Sequence, residues 1–287
     1  MKIRVPATSA NLGPGFDSCG IALSQYLTIE IGEETKNWQI VHHLGSNIPS
    51  DEKNLLIQTA LDLAPNLKPH RLTMTSDIPI ARGLGSSSSV VVAGIELANR
   101  LGKLGMTMAQ KVTYATKIEG HPDNVAPAIC GDFVVASFNN NEVNFVKHHF
   151  PDCDVIAFIP NHELLTAESR AVLPKEMSYR DAVKASSIGN VMIAAVLNGN
   201  LPLAGKMMEK DILHESHRQH LGPHLKKIRE FCKAYGGYGS FLSGAGPTVL
   251  VLTPPENTEK LVTALKAYDH EASIDVLSDE KEGVQIF

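Results

Sequence analysis

Apolar and polar residues alternate over residues 2–5 and again over 23–31, the period-two pattern of half-buried strands. Residues 38–43 are expected to pair with the second of these. From Asn54 the period changes. Leu56, Ala60 and Leu63 share one face of a predicted helix that runs to Ala64, with Asn54 as N-cap and Pro65 and Pro69 beyond its end. A strand is predicted over 71–78 and a helix over 86–101, with Val91, Ile95 and Ala98 at helical spacing and Gly102 and Gly105 after it. Thr107 caps the next helix, which places Met108, Val112, Ala115 and Ile118 inward and ends at Glu119-Gly120. A short helix over 125–130 and a hairpin of 132–138 with 142–147, turning at Asn139-Asn140-Asn141, complete this half.

The second half begins with 154–160, an apolar run that suits a strand buried on both faces. Helices are predicted over 179–198, 203–210, 211–235 and 259–268, and strands over 249–252 and near 273–277. In the long helix Leu221, Leu225, Ile228 and Cys232 would face inward. Strands and helices mix without strict alternation, which predicts α+β layers rather than a doubly wound sheet. A new set of elements starts near residue 153, so an N-terminal domain over 1–153 and a C-terminal domain over 154–287 are expected.

Composition narrows the function classes. The 287 residues are 43% hydrophobic and 20% charged, enough apolar material for one large core or two ordinary ones. A net charge of −5 gives no electrostatic reason to expect nucleic acid or an anionic membrane as partner. Cys19, Cys130, Cys153 and Cys232 are widely spaced with no Cys-x-x-Cys pair, which argues for reduced core thiols. No stretch reaches membrane-spanning length and the N-terminus lacks a signal-type apolar run, so the cytoplasm is the expected location.

The chemistry gathers at 79–89, Pro79-Ile80-Ala81-Arg82-Gly83-Leu84-Gly85-Ser86-Ser87-Ser88-Ser89. Two glycines allow a tight turn and close approach of a ligand, and a helix follows at once. The free N–H groups and positive dipole end of that helix suit a phosphate. One serine would serve as an N-cap; four exceed what capping needs. No Lys-Ser or Lys-Thr follows, so this is not a Walker A loop, and the spacing misses Gly-x-Gly-x-x-Gly. Glu119, His121, Asp123 and Asn124 crowd one helix break. Asp123 or Asn124 there could simply cap the next helix. Glu119, however, lies at a negative helix end, where a carboxylate calls for a cation such as Mg²⁺. The loop over 6–20, with Asn11, Asp17 and Ser18, reads as a connector or a binding loop. Arg170 and Arg218 stand among small or polar neighbours; each is a solvated side chain or a clamp for carboxylate or phosphate. His214, His217, His220 and His224 fit an exposed polar helix face better than a metal site, since no His-Glu-x-x-His accompanies them.

Three stretches then line up: Asn11-Leu-Gly-Pro-Gly-Phe-Asp17, the 79–88 loop, and Ser243-Gly-Ala-Gly-Pro-Thr248. In this order they resemble the signature motifs of the galactokinase, homoserine kinase, mevalonate kinase and phosphomevalonate kinase superfamily. The stretch from Glu119 to Pro127 and the opening Val5-Pro-Ala-Thr-Ser-Ala-Asn11 resemble its homoserine kinase branch. Ser88 and Ser89 stand where many relatives carry alanine. The resemblance implies a two-domain α+β fold, ribosomal-protein-S5-domain-2-like at the N-terminus and ferredoxin-like at the C-terminus. It implies ATP with its phosphates on the 79–89 loop, and Mg²⁺ at Glu119 and Ser86 or Ser87. L-homoserine would lie near Asn11, Asp17, His121, Asn124, Arg170 and Arg218, with Asp17 and Glu119 the residues nearest the chemistry. A homodimer is a further implication. The alternatives are a kinase of another small alcohol such as mevalonate, a nucleotide-binding regulator without turnover, and, on the histidines alone, a zinc hydrolase.

Overall fold

The structure, a computed structural model, describes residues 1–287. β1 (Lys2–Ala10) and β2 (Cys19–Glu34) form a long antiparallel pair with a bulge between Pro6 and Ala7. β1 therefore runs past the expected end at residue 5. Ala7 to Ala10 are buried, and pairing with Gly20 to Leu23 satisfies backbone groups that burial would otherwise leave unpaired. β3 (Gln39–Val41) does not pair with β2 as expected; it runs parallel to β4 (His70–Ser76). The reason is that β4 itself occupies that edge of β2, from Leu27↔Ser76 to Ile31↔Leu72. Between β3 and β4 comes α1 (Leu55–Leu63), capped by the Asn54 side chain, which accepts from the Leu56 N–H.

α2 (Ser86–Leu101), α3 (Met108–Glu119) and α4 (Val125–Cys130) follow in turn. α3 starts with a Thr107/Gln110 capping box and buries Val112, Ala115 and Thr116. Met108 and Ile118 were expected inward, yet they are 51% and 42% exposed. The buried stripe of α3 is narrow, Met108 lies in the first turn outside it, and Ile118 faces a cleft. β5 (Phe133–Asn139) and β6 (Glu142–His148) form the hairpin, turning through left-handed Asn140 and Asn141. β5 extends the sheet by pairing with the start of β2.

β7 (Asp154–Ile159) is buried along nearly its whole length, as its apolar run predicts. α5 (Thr166–Ala171), α6 (Tyr179–Leu197), α7 (Leu201–Met208) and α8 (Leu225–Ala234) come next. The predicted helix over 211–235 is thus helical only from Leu225. Pro223 breaks the ladder, and Asp211 turns the chain by accepting from the N–H groups of Leu213, His214 and Glu215. β8 (Gly239–Leu242), β9 (Val249–Thr253), α9 (Pro255–Tyr268) and β10 (Ser273–Leu277) complete a second, antiparallel sheet in the order β10-β7-β9-β8. β11 (Gln285–Ile286) returns to the first sheet beside β1, making seven strands there. The architecture is mixed α+β on two sheets. One apolar core runs from the first sheet across α2 and α4 to Phe241 and Leu250 of the second, and a smaller one packs α8 and α9 on β7 and β9. All four cysteines are free and buried.

Candidate active site

A cleft of about 660 Å³ opens where the 11–17 loop, the start of α2, the 119–124 turn, α5 and the 244–246 turn meet. Its floor is the glycine-serine loop. Gly83 and Gly85 have φ of 80° and 72°. A Cβ on Gly83 would lie 2.3 Å from the Ser243 carbonyl oxygen, and one on Gly85 would lie 2.2 Å from Thr8 Oγ1, so only glycine fits either place. Gly85 is the N-cap of α2 and no side chain caps the helix, which leaves the first-turn N–H groups of Ser86, Ser87 and Ser88 without intrahelical acceptors.

The loop residues divide by position. Ile80, Ala81, Gly83, Gly85 and Ser86 to Ser89 line the cleft. Pro79, Arg82 and Leu84 do not. Leu84 is fully buried, and the Arg82 Nε donates to the Pro160 carbonyl at 3.1 Å while its guanidinium faces Glu163. Ser88 and Ser89 are buried, and Ser89 Oγ donates to the Ser86 carbonyl at 2.9 Å. Ser87 is exposed and donates to Glu119 Oε1 at 3.3 Å. Glu119 ends α3, just before left-handed Gly120 at φ 84°, and no basic side chain pairs with it.

Beyond Glu119 the chain turns into the cleft. Asn124 stands at the N-cap of α4 but makes no cap bond; its Oδ1 accepts from Thr8 Oγ1 at 2.9 Å. Asp123 does not cap either. Buried to 2% exposure, it holds His121 Nδ1 at 2.5 Å. Burial alone would push the His121 pKa down, but the Asp123 hydrogen bond and charge, with Asp17 beyond, outweigh it and raise the pKa above the usual value.

The 11–17 loop carries the opposite wall. Asn11 and Asp17 take positive φ of 75° and 54°. Asn11 Oδ1 accepts from the Asp17 N–H at 3.0 Å, and its Nδ2 donates to the Gly244 carbonyl at 3.0 Å. The Asp17 carboxylate receives both arms of Arg170 from α5, at 3.0 and 2.5 Å. Arg218 lies deeper, 2% exposed. It donates to the carbonyls of Ser169 (3.1 Å) and Gly244 (3.2 Å) and to His214 Nδ1 (3.0 Å), and no carboxylate lies within ion-pair distance. Burial, with the like charge of Arg170, pulls its pKa down to about 10. Phe16 sits between the two arginines, each guanidinium carbon 5.5 Å from its ring centroid.

Residues 54–132 match the family described as GHMP kinases N terminal domain, and residues 192–270 match GHMP kinases C terminal. The chain belongs to the GHMP kinase family. Homoserine kinase from Enterococcus faecalis is 64% identical over 287 residues, covering 100% of both chains. Homoserine kinase from Listeria innocua is 57% identical with the same coverage. Among solved structures, homoserine kinase from Cytophaga hutchinsonii superposes with a TM-score of 0.87 at 27% identity, covering 100% of this chain and 97% of that one.

As a GHMP kinase the chain carries the glycine-serine loop and the 119–124 turn inside the first matched segment, and Arg218 and the 244–246 turn inside the second. Asn11, Asp17 and Arg170 lie outside both and reach the cleft through the fold. Sequence reasoning missed several lining groups. Leu27, Leu44, Ile48, Leu55, Met74 and Ile78 make one arm of the cleft apolar, and their scatter over β2, the 42–54 segment, α1, β4 and the turn after β4 leaves no motif to find. Asp123 stands in the sequence cluster at the helix break, where it reads only as a cap; its place beside His121 was the signal of the pairing that the structure shows. His214 was expected on an exposed face and is fully buried, stacked on Phe16 at 5.2 Å. None of His214, His217, His220 and His224 belongs to a metal-capable cluster, which removes the basis for a zinc hydrolase.

Proposed function

We propose that this chain transfers the γ-phosphoryl group of ATP to the side-chain hydroxyl of L-homoserine, giving O-phospho-L-homoserine on the route to threonine. Membership of a kinase family and 64% identity to a homoserine kinase over the whole chain support the reaction. The observation that carries the substrate is Arg218. A guanidinium at 2% exposure with no carboxylate within reach is a buried charge short of a counter-ion, and such a charge is costly unless one arrives. The substrate carboxylate would supply it, with Arg170 beside it. Asp17 would take the substrate ammonium, and Asn11, His121 and Asn124 would surround the amino acid.

The phosphates would rest on the N–H groups that open α2, and the apolar arm would take the adenine. Mg²⁺ fits Glu119 with Ser87, or Ser86 next to it, because that carboxylate meets a hydroxyl and no basic side chain. When bound, the ion would neutralise charge on the transferring phosphoryl group. The protein's own part is positioning and charge balance, which is most of what phosphoryl transfer asks. Asp17 reads better as anchor than as base, since both its oxygens already accept guanidinium N–H. Soluble substrates make the cytoplasm the working location, and no helix is long and apolar enough to cross a membrane. A homodimer belongs to the same reading on resemblance alone; sedimentation tests it.

The deciding experiment is ADP release from Mg-ATP with L-homoserine, mevalonate and 4-hydroxybutyrate. Homoserine should turn over at least about tenfold faster than either, because each rival lacks the ammonium that would pair Asp17, a charged contact of about 1.5–3 kcal/mol. Faster turnover of mevalonate would overturn the substrate, and no ADP release with any alcohol would favour a regulator.

A further inference from the structure

The cleft's buried cation raises a question that the reaction leaves open: what holds Arg218 in place without cancelling the charge it offers? Its Nε and one arm donate to the Ser169 and Gly244 carbonyls, and the remaining acceptor is His214 Nδ1 at 3.0 Å. A guanidinium can only donate, so Nδ1 must be unprotonated. On the other side of the ring, Nε2 lies 3.0 Å from the Gly13 carbonyl oxygen, which can only accept. The two contacts together fix one neutral tautomer, with the proton on Nε2. The ring also stacks on Phe16 at 5.2 Å, and Phe16 lies against both guanidinium groups. The 13–17 loop and Arg218 are thereby held by one side chain with no surface exposure.

We infer that His214 is a positioning residue, a neutral acceptor that orients Arg218 toward the substrate carboxylate while leaving its positive charge unspent. The inference rests on the reading of Arg218 as the carboxylate's partner. An acid at this position would hold the guanidinium equally well in geometry. It would also pair its charge internally, and the substrate carboxylate would then gain little. The charged groups facing the ring are Arg218 and, at 3.7 Å from Nε2, Asp211, whose oxygens are taken up by the Leu213, His214 and Glu215 N–H groups; Asp17 acts from farther away. Burial and Arg218 hold the ring neutral well below the usual imidazole range, against the opposing pull of Asp211.

The test is a pair of substitutions of the same shape, His214→Asn and His214→Asp. Both keep an oxygen near the position of Nδ1 and differ in charge. His214→Asp should raise the KM for homoserine about 10- to 100-fold over His214→Asn, the range of a charged hydrogen bond, with the KM for ATP alike in both. Equal homoserine KM in the two variants, or equal losses for homoserine and ATP, would overturn the inference. If the unsubstituted protein fails to use homoserine at all, the functional reading falls first, and a second measurement still decides on His214. Nitrogen-15 NMR of the unsubstituted protein should show Nε2 protonated and Nδ1 bare from pH 8 to 5.5, and Arg218→Met should let the ring titrate at a higher pH. A protonated Nδ1 at pH 7 would sink the proposal without reference to any substrate.

Discussion

At the scale of single residues, Asp17 is where the proposed binding of a zwitterion is most open to test. Its carboxylate faces two candidate partners, the Arg170 fork that it already holds and the ammonium that homoserine would bring. Asp17→Asn would remove the proposed anchor of the ammonium and the charged partner of Arg170 at once. The KM for homoserine should therefore rise strongly, while 4-hydroxybutyrate, which has no ammonium, should lose less. Turnover at saturating homoserine should fall by less than the roughly 10²–10⁴ of a lost general base. Single-turnover transfer across a pH series checks this, and the full general-base loss at unchanged KM would make Asp17 the base. Asp17 was legible because turn residues and carboxylates stand out in a loop. Phe16 and His214 were not. An aromatic ring and a histidine mean nothing in particular until the chain folds, and the contact of His214 with Gly13 joins positions 201 apart.

At the scale of elements, the start of α2 and the end of α3 oppose each other at the end of the cleft proposed for the phosphates. α2 starts on left-handed Gly85 and presents uncapped N–H groups; α3 stops at Gly120 and presents Glu119. Both helices were readable, because their apolar spacing, glycines and Thr107 cap all agree with what the fold asks of them. Pairing of β3 with β4 was not readable, since a three-residue strand carries too little pattern to choose a partner. The 211–224 segment misled for another reason. Its polar residues keep helical spacing, but Asp211, His214 and Arg218 turn inward to serve the cleft, and tertiary hydrogen bonds override the local period. Glu119 offers a test in which fold and function pull apart. A carboxylate at the negative end of a helix costs stability, so Glu119→Gln should leave folding unchanged or improve it by about 0.3–1 kcal/mol. The same change should lower kcat by about 10²–10³, as loss of one electrostatic stabiliser commonly does. Denaturant unfolding and steady-state rates at ordinary Mg²⁺ measure both, and near-normal kcat would remove Glu119 from the metal's surroundings.

At the scale of the whole molecule, the two sheets meet at the cleft through polar contacts as well as core. Ser243 Oγ donates to the Gly83 carbonyl at 2.6 Å, the Gly244 N–H to the Ala10 carbonyl at 3.2 Å, and His214 Nε2 to the Gly13 carbonyl. Two histidines at the cleft, His214 in this seam and His121 in the 119–124 turn, make global stability depend on pH with opposite sign. Burial pushes His214 down to about 4 in the folded protein, against 6.5 as its ordinary value. Its contribution is therefore full above pH 6.5 and is lost as pH falls toward 4, because the unfolded chain takes up the proton first. Asp123 and Asp17 raise His121 against the effect of its burial. Its contribution is full below pH 6.5 and is lost as pH rises through the folded value. The His121 contribution levels off below pH 6.5 as the unfolded imidazole finishes taking up its proton, and it is common to both proteins when a His214 variant is compared. From pH 7 to pH 5 the loss due to His214 is on the order of 2 kcal/mol, below the full 1.36 kcal/mol for each pH unit because the unfolded imidazole is only half protonated at pH 6.5. His214→Asn cannot take up that proton. Carboxylates such as Glu96, held below the ordinary range by Lys111 and Arg100 despite burial, are common to both proteins and cancel in the comparison. Urea unfolding at pH 7 and pH 5 should then show the unsubstituted protein losing about 2 kcal/mol more than His214→Asn. Equal losses would mean that His214 is protonated in the fold, and Arg218 would then need a different acceptor.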